Sequence, residues 1–152
     1  MLYKNILTLN MDVHQPEVRS YNMSQIKGKN TKPEIMVRKF LFSKGFRYRV
    51  HVKSLTGKPD IVLKKYNTAI FIHGCFWHGH KNCKYFVIPK TRTEWWLNKI
   101  KRNKLSDEKY IKLLEKDSWN VLTIFECELK PLSRERTFNN LHQTLLKISG
   151  NE

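Results

Sequence analysis

Residues 58–73 read Lys-Pro-Asp-Ile-Val-Leu-Lys-Lys-Tyr-Asn-Thr-Ala-Ile-Phe-Ile-His. Asp60 to Leu63 and Thr68 to His73 are short runs rich in β-branched and aromatic residues, and they read as two strands. Lys64-Lys65-Tyr66-Asn67 between them reads as the turn of a hairpin. Upstream lies a second turn, Leu55-Thr56-Gly57-Lys58-Pro59. Before it, Phe46-Arg47-Tyr48-Arg49-Val50-His51-Val52 alternates apolar with basic. That alternation predicts a strand with one buried face and one basic face. Asn120 to Phe125 supplies a fourth strand.

Helices are expected around these strands. Ser20 to Ile26 reads as a short helix capped by Ser20. In Asn30-Thr31-Lys32-Pro33-Glu34, Thr31 and Glu34 have capping-box spacing and Pro33 suits a first turn, so a helix should run to Lys44 and stop at Gly45. Thr91-Arg92-Thr93-Glu94 opens another, to about Asn103. Asp107 to Lys116 and Ser133 to Ile148 read as two more. Residues 74–90 have no clear period. The expected fold is therefore α/β, a small mixed sheet flanked by helices. At 152 residues the chain has the size of one domain. Residues 1–18 read as a flexible N-terminal extension, with Met11 as an alternative start, and 19–150 as one domain.

Lys and Arg total 29 against 13 Asp and Glu, a net charge of +16. Charge of that size says little about fold but predicts attraction to a polyanion, above all nucleic acid. Residues 27–49 hold eight Lys or Arg and one carboxylate, and residues 84–104 hold seven and one. Contacts of this kind fix register on phosphates rather than read sequence, and they weaken steeply with salt. No apolar run is long enough to span a membrane, and no signal peptide is evident. A cytoplasmic, nucleoid-associated monomer is expected.

The three cysteines cluster around histidines. Cys75, His80 and Cys83 form C-x4-H-x2-C, and Cys127 follows the fourth strand. Three thiolates and one imidazole would complete a closed tetrahedral Zn²⁺ site, which braces rather than catalyses. His78 is a rival fourth ligand.

Pro59-Asp60, a hairpin and a second strand resemble the core of restriction-endonuclease-like nucleases, in which Pro-Asp is followed by an acid, any residue and Lys. Here Ile72-His73 occupies the second half of that pattern. The resemblance implies Mg²⁺ on Asp60, with the main-chain carbonyl of Ile72 as a second hard ligand. His78 or His73 would then accept the proton of the attacking water, since imidazole titrates near neutral pH. Glu34 is the candidate carboxylate to orient that base, and Asp107 a weaker one.

The run Ile70-Phe71-Ile72-His73-Gly74-Cys75-Phe76-Trp77-His78-Gly79-His80 is similar to the signature of very-short-patch repair (Vsr) endonucleases. So are Pro59-Asp60, the Lys90–Thr93 stretch with Trp95-Trp96 and Lys99-Ile100, Phe125-Glu126-Cys127, and Arg19-Ser20-Tyr21-Asn22-Met23. The likeness covers about residues 18–130. It implies a nick in one DNA strand beside a T·G mismatch left by deaminated 5-methylcytosine, with double-stranded DNA and mismatch-repair proteins as partners. It further implies that Phe76, Trp77 and Trp96 wedge into the duplex, that Met23 reaches the minor groove, and that Lys90 and Arg92 contact DNA. Apolar wedges cost about a few kcal/mol in unstacking, less at a mismatch. Trp95 is expected to be a core partner of the wedge. Two alternatives stay open: a structure-selective nuclease without mismatch preference, and a zinc-stabilised DNA-binding module without catalysis.

Overall fold

The computed structural model describes residues 16–150. Most of the expected N-terminal extension, and Met11 with it, lies outside the described residues. The described part opens with helix α1, Pro16–Ser24. Ser20 lies inside this helix rather than capping it, because the helix begins four residues earlier than the sequence reading placed it.

Helix α2 spans Lys32–Ser43. The Thr31 hydroxyl accepts from the Glu34 amide at 3.4 Å, and the Glu34 carboxylate accepts in return from the Thr31 amide. This reciprocal box satisfies two backbone donors that the first turn leaves free. At the other end Gly45 takes φ +82°, the left-handed region that glycine enters without a Cβ clash. The Gly45 amide then donates to Phe42 and the Phe46 amide to Leu41, closing the helix in a Schellman motif.

Strand β1 is only Arg49–Val50, far shorter than the expected 46–52. Phe46 is committed to closing α2 and to the core, and His51 turns the chain at φ +52°. Both ladder residues are exposed, so the basic-out, apolar-in alternation does not describe this strand. Strand β2, Ile61–Leu63, and strand β3, Thr68–His73, form the hairpin, with Ile61 opposite Ile70. Its turn is a single 3-10 turn, Lys64–Tyr66, closed by Asn67 at φ +43°. Strand β4, Asn120–Phe125, runs parallel to β3, with His73 beside Phe125. The sheet order is β1-β2-β3-β4, with antiparallel and parallel pairs.

Between β3 and β4 runs helix α3, Thr93–Lys116, one continuous rod of 24 residues. The two helices expected here are a single one. Nothing between Asn103 and Asp107 is a Gly or Pro, so the polar Asn-Lys-Leu-Ser step does not break the backbone hydrogen bonding. A 3-10 turn, Glu126–Leu129, leads to helix α4, Pro131–Ser149.

Two cores flank the sheet. On one face Val37 and Leu41 of α2, Leu141 and Leu145 of α4, and Leu129 pack on Ile61, Leu63, Ile70 and Ile124. On the other, Leu114 of α3 meets Ala69 and Phe71, with Leu55, Trp119 and Val121 around them. Burying each large aliphatic side chain contributes about 1.5–3 kcal/mol. β3 is covered on both faces, which is why it reads as a nearly unbroken apolar run. Residues 69, 71 and 73 therefore face α3, and the functional side chains gather on that side.

Two glycines let loops approach α3 closely. A Cβ on Gly57 would lie 2.8 Å from Tyr110 Cβ, and one on Gly79 would lie 2.7 Å from Ile100 Cγ2. Gly57→Ala should destabilise the fold by about 1–3 kcal/mol, combining overpacking with a forced positive φ. A thermal midpoint equal to that of the parent chain would show that the turn does not rest on α3 in this way.

Candidate active site

The ends of β2 and β3, the loop after β3, the start of α2 and the inner face of α3 enclose a cleft of about 710 Å³. Asp60 enters from the residue before β2. Its Oδ2 accepts from the Ile72 amide at 2.7 Å, which fastens the carboxylate to the neighbouring strand. Burial holds the Asp60 carboxyl above its ordinary range. The Ile72 hydrogen bond opposes this, and the nearby charge of Glu34 adds to the rise. A half-buried carboxylate beside another is a position that a hard cation would relieve.

Glu34 is 3% exposed and thoroughly engaged. One oxygen takes the Thr31 hydroxyl at 2.9 Å, and the other takes the Asn30 amide at 3.0 Å and Arg38 Nη2 at 2.6 Å. It lines the cleft with Asp60, but its recorded hydrogen bonds all run within its own helix start and to Arg38. The carboxylate that meets a histidine is Asp107. Its Oδ2 lies 2.7 Å from His78 Nδ1, so Nδ1–H donates to the carboxylate; in the neutral ring this tautomer puts the lone pair on Nε2.

His73 stacks on His78 with ring centroids 3.7 Å apart and planes 2° from parallel. Burial, and then the neighbouring His78, lower the His73 pKa to about 4, with Asp107 pulling the other way. His73 therefore stays neutral near pH 7 and forms the wall against which His78 is held. The donor atoms of His73, His78 and Asp107 lie within 4.8 Å of one another. An ion cannot lie in both of two parallel ring planes, however, and His78 Nδ1 is occupied by Asp107. The stacked rings and the Asp107 hydrogen bond leave His78 Nε2 as the donor atom of the pair not already engaged by Asp107.

A second cluster lies at the far side of the loop. Cys75, His80, Cys83 and Cys127 bring one ligand atom each to within 4.8 Å of the others. His80 Nδ1 is 3.3 Å from Cys127 Sγ and 3.6 Å from Cys75 Sγ. An edge of about 3.6 Å is what a tetrahedron of metal–ligand bonds near 2.0–2.3 Å requires. The His80 ring is fixed by stacking on Phe125 at 3.8 Å. Burial pushes the Cys75 thiol up to about 12, so thiolate there calls for a cation. The cluster can hold a metal ion. His78, the rival fourth ligand, is turned into the cleft instead.

Phe76, Trp77 and Trp96 form one aromatic group with ring centroids 5.2–5.9 Å apart. All three are half-buried. Trp95 is 43% exposed and so lies outside the core, but its ring packs edge-on against Trp96 at 4.7 Å, with Arg92 over the ring at 4.7 Å. Lys90 and Arg92 are exposed just before α3, and Met23 is exposed on α1.

The cleft also takes in Lys27, Lys58, Lys99, Asn103, Tyr110 and Glu126. Asn103 Nδ2 donates to the Trp77 carbonyl at 2.8 Å and ties the loop to α3. Lys99, Asn103 and Asp107 repeat every four residues on one helix face. That signal is visible only when α3 is read as one helix.

A family model for the DNA mismatch endonuclease Vsr matches residues 11–84. Type II nicking enzyme V.NmeAIP of Neisseria meningitidis serogroup A is 51% identical over 127 residues, covering 82% of this chain and 90% of the relative. Type II nicking enzyme V.XorIIP of Xanthomonas oryzae pv. oryzae is 44% identical over 117 residues, covering 77% and 85%. DNA mismatch endonuclease Vsr of Escherichia coli is 43% identical over 119 residues, covering 78% and 76%.

The raised Asp60 pKa has a consequence for stability. A carboxyl whose folded pKa exceeds its unfolded value contributes stability below the unfolded pKa and loses it as pH rises through the folded one. Without divalent cation, Asp60→Asn should therefore melt above the parent chain at pH 7. The gap should close as pH falls to the ordinary carboxylate range. Equal melting at pH 7, measured by calorimetry, would count against a desolvated Asp60.

Proposed function

The chain belongs to the Vsr DNA mismatch endonuclease family and is a strand-nicking DNA endonuclease; from that premise we propose that it cuts one strand of duplex DNA beside a T·G mismatch, using Mg²⁺ at Asp60 and His78 as general base. The proposed setting is very-short-patch repair of deaminated 5-methylcytosine, on a restriction-endonuclease-like core. The observation that carries this reading is the Asp107–His78 pair opening onto the cleft that Asp60 lines.

Two metal roles follow from donor chemistry. The three-thiolate, one-imidazole cluster suits Zn²⁺ as a structural ion. Asp60 has one oxygen held by the Ile72 amide and another free for a hard cation, with the Ile72 carbonyl as the proposed second ligand. When bound there, Mg²⁺ supplies positive charge to the scissile phosphate and its attacking water.

The chain's own side chains do the rest. Asp107 holds the His78 ring in the tautomer whose Nε2 lone pair can take a proton. The water oxygen forms its bond to phosphorus as that proton passes to Nε2, and the bond from phosphorus to the leaving sugar oxygen breaks. His73 packs flat on His78 and stays neutral, so it does not compete for the proton. Ion pairing and hydrogen bonds hold Glu34 at the edge of the cleft, where its charge acts on Asp60. The Phe76, Trp77 and Trp96 group provides apolar faces to fill a weakened base step, the source of preference for a mismatch. Lys90 and Arg92 fix the backbone beside it, and Met23 is carried by α1 to the opposite groove.

A duplex with T·G in the context of a cytosine-5 methylation target should be nicked with Mg²⁺, and a C·G duplex should not. His78→Ala should slow the saturated reaction by about 10²–10⁴-fold, and Asp60→Asn should abolish it while remaining folded. Equal cutting of T·G and C·G duplexes would remove the mismatch preference. Full activity of Asp60→Asn would remove the proposed metal carboxylate.

In the Zn²⁺ cluster, Cys127→Ser should lose the bound zinc and lower the melting temperature well before any duplex is added. Equal zinc content by mass spectrometry and an unchanged melt would remove the brace.

A further inference from the structure

Three lysines, Lys27, Lys58 and Lys99, line the cleft. We propose that Lys58 places its ammonium on a nonbridging oxygen of the scissile phosphate. The inference rests on the nuclease reading above.

Four observations carry it. Lys58 lines the same cleft as Asp60, His73, His78 and Asp107. It stands two residues before Asp60, and the intervening Pro59 is fully buried, so the backbone beside Lys58 is anchored in the core. The turn is also anchored on its other side. Gly57, at φ +74°, sits against Tyr110, one helical turn beyond Asp107 on α3, and the Lys58 amide closes the turn onto the Leu55 carbonyl at 3.0 Å. Finally, Lys58 itself has φ +50°. A side chain with a Cβ pays about 1–2 kcal/mol for that region, where Gly or Asn would be at ease. Such an outlier in a cleft points to a role for the side chain.

The other cations near the cleft are placed differently. Arg38 is occupied, donating to Asn30 Oδ1 at 2.7 Å and to Glu34 at 2.6 Å. Lys99 belongs to the aromatic end, three residues from Trp96 and four from Asn103. Lys27 lies in the exposed segment before α2. Lys58 alone is tied by its backbone to both Asp60 and the helix of Asp107. As water attacks phosphorus, negative charge grows on the nonbridging oxygens, and a fixed ammonium there lowers the barrier without moving a proton.

Glycine separates catalysis from folding at this position. Lys58→Gly removes the ammonium and relieves the positive φ, so its melting temperature should equal or exceed that of the parent chain. Its nicking rate at saturating enzyme, under single turnover on the T·G duplex, should fall by about 10²-fold. Lys58→Arg should recover a large part of the loss, and the duplex dissociation constant should change far less than the rate. A Lys58→Gly rate within about twofold of the parent overturns the proposal. So does a loss seen only as weaker binding, which would make Lys58 a phosphate grip. Asp60→Asn run in parallel keeps the two readings apart: if it nicks like the parent, the nuclease reading itself fails, whereas an inert Asp60→Asn with a fully active Lys58→Gly removes Lys58 alone.

Discussion

The cleft depends on how residues 74–83 are held between the end of β4 and the inner face of α3. This segment follows a strand buried on both faces, and its own large apolar side chains, Phe76 and Trp77, pack with Trp96 rather than into either core of the sheet. It is fixed instead by short-range contacts of different kinds. His80 lies against Phe125 and faces Cys75 and Cys127. Gly79 gives up a side chain so that the backbone can lie on Ile100. Asn103 holds the Trp77 carbonyl, and Asp107 holds His78. Each contact alone contributes modestly. Together they hold the loop in one arrangement, with some side chains turned to the Cys/His cluster and others to the cleft. Cys75 and His80 turn to the Cys/His cluster, while Trp77 and His78 turn to the opening.

The electrostatics of the cleft run against those of the chain. A protein of net charge +16 gathers Glu34, Asp60, Asp107 and Glu126 around one opening. Two of these are engaged locally: Glu34 by Arg38 and helix-start amides, Asp107 by a hydrogen bond from His78. Burial raises the Asp60 pKa, and the charge of Glu34 adds to the rise. Negative charge left unpaired in the middle of a basic face repels phosphate unless a cation intervenes. The arrangement thus makes binding of a metal and binding of a polyanion mutually favourable, because each screens what the other would meet.

Much of this was readable in the sequence. The capping box of α2, the Gly45 stop, the hairpin of β2 and β3, and the existence of strand β4 all follow from local rules, and the structure has them. The donors of the Cys/His cluster are legible because ligand spacing is a short-range property. Two expectations fail for different reasons. The strand expected at 46–52 is only two residues long because Phe46 closes α2 in the Schellman motif, a demand that alternation does not encode. The division of α3 at residues 103–107 came from reading a polar step as a break. That division hid the Lys99, Asn103, Asp107 face and left Asp107 a weaker candidate than Glu34. Glu34 satisfied every local criterion, yet local criteria describe a helix cap. Only the packing of α3 on β3 brings a carboxylate to His78.

The end of β3 leaves little room for further charged side chains. Side chains on this strand alternate between the two cores, so Ile72 faces the core of α2 and α4 while His73 faces α3. An acid at 72 would have to be buried there, at a cost of several kcal/mol unless paired. With an apolar residue at 72, only the backbone of that position is available to the cleft, and the Asp60 carboxylate takes its amide. A lysine at 73 would lose the stacked, desolvated neighbour that now orients His78. Having filled the strand with residues that satisfy the two cores, the chain must draw its chemistry from elements that approach the strand end from outside: the turn before β2, the loop after β3 and the face of α3. Each of these is pinned to another by a glycine contact or a side-chain hydrogen bond. These attachments fix side chains from three separate elements around one opening.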